Sequence, residues 1–397
     1  TYYGNRTLEN VTQQLVNGQV NSLDGYWNKM VQATEIALNQ SVRVFMTSKY
    51  DYYGYDKDRI LHAATDVLTG WSDVFTPRTM MTPDGNLTMA QYSSQGVLYQ
   101  DPWNELVSTS DLGVLQQKMI VMDEGSVLNP SNGRPIPMRT DWRDKEGDPM
   151  IEKDYEWKNG TLNKNIDVPS DAVVYNSSSN KWENVGSGVK SAVKITYKII
   201  GGKWHSGVDL TLRDVMGWHA WSWDMSFKDG DDDEYYQDSF AGRNKERFEN
   251  IVGEIWNKEN QTYTVWGDYT LPIDEKIGDY FSIWPTLHYT QYMAVQELVT
   301  KGQFAPSGIK DWRWTNKGDI WVDWTSKNQG ETIKEALQNM MDADFIPWFM
   351  REENNAPITV SSSELNDERK ALIDFYDEYG HMFASQGPFL MDKADPE

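Results

Sequence analysis

The chain has 397 residues and carries 37 Lys and Arg against 60 Asp and Glu, a formal net charge of −23. That balance argues against a protein that tracks nucleic-acid phosphates, which needs clustered Lys and Arg that no run of this chain supplies. Aromatic residues reach 13%, with 18 Trp and 21 Tyr, which excludes a disordered chain, and the length fits two or three domains or one with long excursions.

Apolar residues at Leu8, Val11 and Leu15 predict a short helix closed by Asn17-Gly18. A longer helix is expected from Ser22 to Asn39, with Trp27, Met30, Val31, Ala33, Ile36 and Ala37 turned inward. Ser41 to Thr47 alternates and reads as a strand. The turn Pro83-Asp84-Gly85 and the polar run after it mark a boundary, so residues 1–88 and 89–397 are expected to form separate units. Residues 141–165 and 177–188 are dense in polar side chains and predict solvated excursions.

Between Ala192 and Ile200, Val193, Ile195, Tyr197 and Ile199 alternate with Lys194, Thr196 and Lys198, a strand ended by Gly201-Gly202. Thr211 and Asp214 fit a capping box opening a helix that carries Val215, Trp218, His219, Trp221 and Trp223. On that helix, spacing puts Trp218 and Trp221 on one side and Trp223 elsewhere. A strand follows at Thr262–Thr270, with helices at Tyr289–Val299 and Glu331–Met341. A last helix, capped by Ser362 or Ser363, buries Leu365, Leu372, Ile373 and Tyr376 and stops at Gly380. The mixture predicts a mixed α/β class.

No run of 18 apolar residues occurs, and Thr1–Asn10 lacks signal-peptide character, so an export signal or membrane attachment would lie outside this chain. Cys is absent, which removes disulfides and thiolate chemistry. Sequons begin at Asn5, Asn10, Asn39, Asn86, Asn159, Asn176 and Asn260, pointing to a glycosylated, extracellular surface; the alternative is an abundance of Asn and Thr alone.

The five histidines, His62, His205, His219, His288 and His381, show no metal-binding spacing, and no nucleophile elbow or phosphate loop is present. No metal, cofactor or catalytic residue is therefore expected. The run Asp229 to Glu234 offers carboxylates to a hard cation but lacks a calcium-loop pattern and reads as a solvated loop. Glycoside hydrolysis needs a carboxylate pair, and none stands out among 60 acids. Tryptophan faces can stack on sugars or peptide side chains, although each Trp can equally be a core anchor.

Lys203-Trp204-His205-Ser206-Gly207-Val208, followed by Leu210-Thr211-Leu212-Arg213-Asp214-Val215, resembles the "kWHdG, then sl-x-DV" signature of the family-5 solute-binding proteins, the oligopeptide and dipeptide receptors of ABC importers. Gly380 to Leu390 (GHMFASQGPFL) is similar to that family's "GHmviSNGPFyL" stretch in large archaeal members, Asn39 to Phe45 to its "ESVRVF" strand, and Tyr99 to Asn104 (YQDPWN) to its "tlNP" opening. The likeness extends over most of the chain, including Val168 to Trp182; Ser206 and Gln386 depart from the family's usual Asp and Asn.

Here the SVRVF-like strand precedes the other motifs, which resembles the permuted order of large archaeal receptors and implies the C-terminal half of a longer protein. The resemblance implies a periplasmic-binding-protein-like type II lobe, one lobe plus hinge elements of a two-lobed clamp, with residues 1–88 as the end of the preceding lobe and hinge region and 89–397 as the α/β lobe. The expected activity is non-catalytic delivery of oligopeptides to an ABC transporter permease. An oligosaccharide receptor of the same fold, a glycosylated cell-surface structural protein and a glycoside hydrolase are the alternatives. Trp103, Asn104, Trp218 and Trp284 are the expected ligand-binding residues.

Overall fold

The alternation at Ala192–Ile200 becomes the spine of the central sheet. The computed structural model describes residues 4–40, 54–67, 70–71, 73–88, 118, 120–314 and 318–393. In chain order the strands that matter are β1 (Thr140–Asp141), β2 (Ile151–Lys153), β3 (Tyr155–Lys158), β4 (Thr161–Lys164), β5 (Val173–Asn176), β6 (Lys181–Asn184), β7 (Val193–Ile199), β8 (Ile251–Asn257) and β9 (Thr262–Gly267). The sheet runs β1-β7-β9-β8-β5-β6, with β2 sharing the outer edge of β7 with β1. Every pairing in it is antiparallel. On β7 the residues predicted inward, Val193, Ile195, Tyr197 and Ile199, are buried, as period-two burial requires.

Among the described residues the main helices are α1 (Arg6–Val16), α2 (Leu23–Asn39), α3 (Phe75–Thr79), α4 (Leu212–Ser226), α5 (Asp238–Glu249), α6 (Asp274–Tyr280), α7 (Tyr289–Thr300), α8 (Lys327–Asp342) and α9 (Ser362–Tyr379). The fold is mixed α/β. At the start of α4 the Asp214 carboxylate accepts from the Thr211 backbone N–H at 2.8 Å and from its hydroxyl at 3.3 Å. α9 begins one residue earlier than read from sequence, with Ser361 as its cap and Glu364 closing the box, and Gly380 ends it at φ +75°. There an L side chain would be strained, so glycine is the residue that lets the chain turn.

Helix α4 is the axis of the core. Trp218 stacks on Trp221 at 5.1 Å and packs on Tyr292 of α7, while Trp223 turns to Phe227 and Phe248. His219, on the sheet side, stacks against Trp182 of β6 and lies 5.8 Å from the Trp256 ring of β8. Truncating a side chain buried like Trp221 costs about 3–5 kcal/mol, because the neighbours cannot close the hole.

One expectation needs correction, and two polar stretches hold more regular structure than their composition suggests. In α2 only Ala33 is buried, while Trp27, Met30, Val31 and Ala37 are exposed and Ile36 is half-buried. The reason is coverage: α2 packs on α1 through the line of Ala33 and Lys29, whose ammonium meets Gln14 at 2.5 Å, and the neighbouring apolar stripe stays open. Residues 141–165 are largely solvent-facing, yet they hold β2 and the β3–β4 hairpin and bury Trp142. Residues 177–188 likewise contain β6, whose Trp182 is buried and donates from its indole N–H to the Phe349 carbonyl at 3.0 Å. Polar composition hid single aromatic anchors in both stretches. The strand expected at 41–47 lies outside the described residues.

Segments of residues 1–88 touch the rest at specific points. Asn21 exchanges two hydrogen bonds with the Trp157 backbone, at 2.6 and 2.9 Å, and Thr270 donates its hydroxyl to the Gly18 carbonyl at 2.7 Å.

Candidate ligand-binding site

Three stretches remote in sequence converge on Asp123, which is 5% exposed. Its carboxylate accepts from the Arg78 guanidinium at 2.6 Å and from Arg139 Nε at 2.6 Å. Arg78 belongs to α3 and also donates to the Met122 carbonyl at 2.7 Å. Arg139, just before β1, donates in addition to the carbonyls of Gly201 and Gln386, each at 3.0 Å. Two guanidinium groups thus share one buried carboxylate, and charge-assisted bonds of this kind fix geometry as well as energy.

The GHMFASQGPFL segment supplies the third strand of this knot. Gln386 Nε2 donates to the Pro285 carbonyl at 2.9 Å and to the Asp123 carbonyl at 3.3 Å. The Ser385 hydroxyl donates to the Thr286 carbonyl at 2.7 Å, and its own carbonyl accepts from the His205 backbone N–H at 2.7 Å. His205 Nε2 lies 3.0 Å from the Gly387 carbonyl. A carbonyl only accepts, so Nε2 carries the proton. Burial lowers the His205 pKa, which keeps the ring neutral at pH 7. Gly387 donates its N–H to the Val121 carbonyl at 3.0 Å, and a Cβ there would run into the Val121 and Met122 backbone.

Several residues on the segments that meet at the knot are exposed: Ile200, Phe389 and Leu390 are 42%, 47% and 40% exposed, and Glu124 is exposed as well. Glu124 reaches water yet is walled by protein. Loss of hydration first, then the nearby Asp279, pushes its carboxyl above the ordinary range, and the remaining solvent contact limits that desolvation. Trp284 stands against Gly125, two residues from Asp123; it is half-buried, and its indole N–H is shut off from solvent without a partner.

Of the expected ligand-binding residues, Trp284 is therefore at this crossing. Trp218 is in the core layer with Trp221, Phe240 and Tyr292, and no ring contact joins it to Trp284. Trp103 and Asn104 lie outside the described residues. Among the described tryptophans only Trp27 is exposed, so the aromatic load is mainly core material. Asp123, Arg78 and Arg139 had no signal in the sequence beyond their charge, because a shared counter-ion is a long-range relation. A cavity of about 930 Å³ is elsewhere, between the end of α8 and the start of α9, and is rimmed by Lys258, Arg351, Glu352 and Glu364. Its rim is charged, and neither Trp218 nor Trp284 lines it.

A second polar cluster is sealed inside. His288 Nε2 is 3.1 Å from the Asp214 carboxylate and 3.4 Å from that of Glu368, which also meets Arg213 and accepts from the Tyr289 hydroxyl at 3.2 Å. His288 is unexposed, so no ligand reaches it, and the cluster serves to join α4, α7 and α9. His219 and Glu254 are 3.1 Å apart and fully buried, a structural pair of the same kind.

No protein-family model matches the chain, and no curated protein matches it. Among the described residues no helix is long and apolar enough to cross a membrane, and no group of acidic and histidine side chains is arranged to hold a metal ion.

Proposed function

We propose that this chain forms one α/β lobe and hinge elements of an extracellular solute-binding receptor that hands oligopeptides to an ABC permease without chemical change. The observation that carries this reading is the knot at Asp123. It ties the 78, 139 and 386 segments together, and Glu124, Ile200, Phe389 and Leu390, on the segments that it joins, are exposed. A clamp works in this way: its ligand is held by contacts made only when a second wall closes, and those differential contacts drive closure. The exposed carboxylate of Glu124, next in sequence to Asp123, suits the ammonium end of a peptide. The motif resemblance at Trp204 to Val215 and Gly380 to Leu390 points the same way. An oligosaccharide ligand would call for exposed tryptophan platforms, and the described tryptophans are mostly buried.

The test is titration calorimetry with peptides on the receptor containing this chain, comparing free and N-acetylated amino termini. Binding of free peptides that weakens about tenfold on acetylation, and equally in Glu124→Gln, supports the reading. Binding of sugars instead, or of neither class, defeats it.

A further inference from the structure

The sequons differ sharply in how the fold presents them. Transfer of a saccharide to asparagine needs a reachable Nδ2 and, two residues on, a reachable hydroxyl on the same side of the chain. Asn159, Asn260 and Thr161 are exposed and Thr262 is half-buried, so both sequons present their reacting groups at the surface. Asn159-Gly160 forms the tip of the β3–β4 hairpin with φ of 51° and 77°, the left-handed pair that Asn-Gly turns adopt. Its Thr161 is the first residue of β4. Asn260 sits in the turn between β8 and β9, and its Thr262 is the first residue of β9. Both asparagines are exposed, and among the described residues neither side-chain amide has a hydrogen-bond partner.

Asn176 is the opposite case. Its Oδ1 accepts from the Ser178 N–H at 3.0 Å, and its Nδ2 donates to Glu183 at 2.9 Å. The sequon hydroxyl, on Ser178, donates to Asp229 at 2.7 Å, so both reacting ends are occupied. Asn10 lies within α1, where residues i and i+2 point about 200° apart, and the Thr12 hydroxyl bonds the Leu8 and Glu9 carbonyls. Asn5 caps α1 through Oδ1, and Asn86 Nδ2 reaches the Asp84 carbonyl at 3.5 Å beside the Arg59–Asp84 pair. The sequon at Asn39 continues into residues outside those described.

We propose that Asn159 and Asn260, on two hairpin tips, are the positions at which the folded protein accepts N-linked glycan, and that Asn176 stays bare. The donor class is a lipid-linked oligosaccharide phosphate. The Asn Nδ2 attacks the anomeric carbon, the C1–O bond to phosphate breaks, the lipid phosphate leaves with the bonding pair, and the amide gives up one proton. In the cell this rests on the extracellular placement in the proposed function; at the level of the folded surface it does not.

The test incubates the folded chain, and the same chain denatured, with an oligosaccharyltransferase and a lipid-linked oligosaccharide, and maps the products by glycopeptide mass spectrometry. Expected is occupancy at Asn159 and Asn260 in the folded protein, lost site by site in Asn159→Gln and Asn260→Gln, with Asn176 at least tenfold lower until the chain is denatured. Equal modification of Asn176 in the folded protein, or no modification of the two hairpin tips, overturns the assignment. Ligand binding takes no part in this assay, so failure of the receptor reading and failure of this one are separable.

Discussion

Arg78 and Asp123, 45 residues apart, are joined at 2.6 Å with side chains only 12% and 7% exposed. Asp123 is also the counter-ion of Arg139, so its loss leaves two guanidinium groups facing each other around an empty position. Removing one partner of a buried ion pair costs about 3–5 kcal/mol, most of it the price of the stranded charge. Asp123→Ala is expected to lower stability by that amount in urea unfolding, with Arg78→Met milder because it leaves the Arg139 pair whole. A loss below about 1 kcal/mol in Asp123→Ala would mean that the knot is not what holds these segments.

Gly387→Ala probes the same place by shape alone. Its Cβ would press on the Val121 and Met122 backbone, which has no side-chain rotamer to yield. Overpacking of this kind costs about 1–3 kcal/mol. The expected result is a lowered thermal midpoint together with weaker peptide binding; an unchanged midpoint would show that the 120–122 and 387–389 segments move apart freely.

Much of the architecture was legible because it depends on local pattern. The capped starts of α4 and α9 and the alternation of β7 each lie within one window of sequence. What escaped notice depends on neighbours that sequence spacing does not name. Trp27, Met30 and Val31 look like core residues on α2, yet α1 covers only the line of Ala33. Trp182 looks stranded in a polar loop, yet its indole is buried against Tyr175 and His219. At the candidate site, the resemblance motif brought Gln386 into view, whereas Asp123 and its two arginines required the fold.

Asp224 supplies a pH-dependent prediction. It is buried, and desolvation pushes its carboxyl well above the ordinary range, although the bonds from Tyr175 and Trp348 pull the other way and Asp229 and Asp233 add to the rise. The folded protein therefore keeps a proton that the unfolded chain releases above pH about 4. Stability falls as pH rises from there, with a slope of up to about 1.4 kcal/mol per pH unit, until the folded group also ionises. Asp224→Asn keeps the shape without the proton. It is expected to unfold at higher urea than the natural chain at pH 7, by more than about 1 kcal/mol, and to match it near pH 4. A variant that is weaker at both pH values would contradict a neutral Asp224.

His288 titrates with the opposite sign. Burial alone would lower its pKa, but the Asp214 and Glu368 carboxylates raise it to about 9. Its Nδ1 meanwhile accepts from the Thr290 N–H at 3.2 Å, a cap that only the neutral ring can make. The carboxylates outweigh that long bond, since a neutral ring would remove from the two buried anions the cation that bridges them. Because the folded value stands above the ordinary 6.5, the proton is a source of stability that is complete below pH 6.5 and is lost as pH climbs through about 9. Urea midpoints measured from pH 6 to 10 should fall across that window in the natural chain. His288→Gln, which can still cap α7 but carries no charge, should be less stable at pH 6 by about 1–3 kcal/mol and should lack the fall. A natural chain whose midpoint stays level from pH 6.5 to 9 would place the neutral ring, and the cap, ahead of the charge.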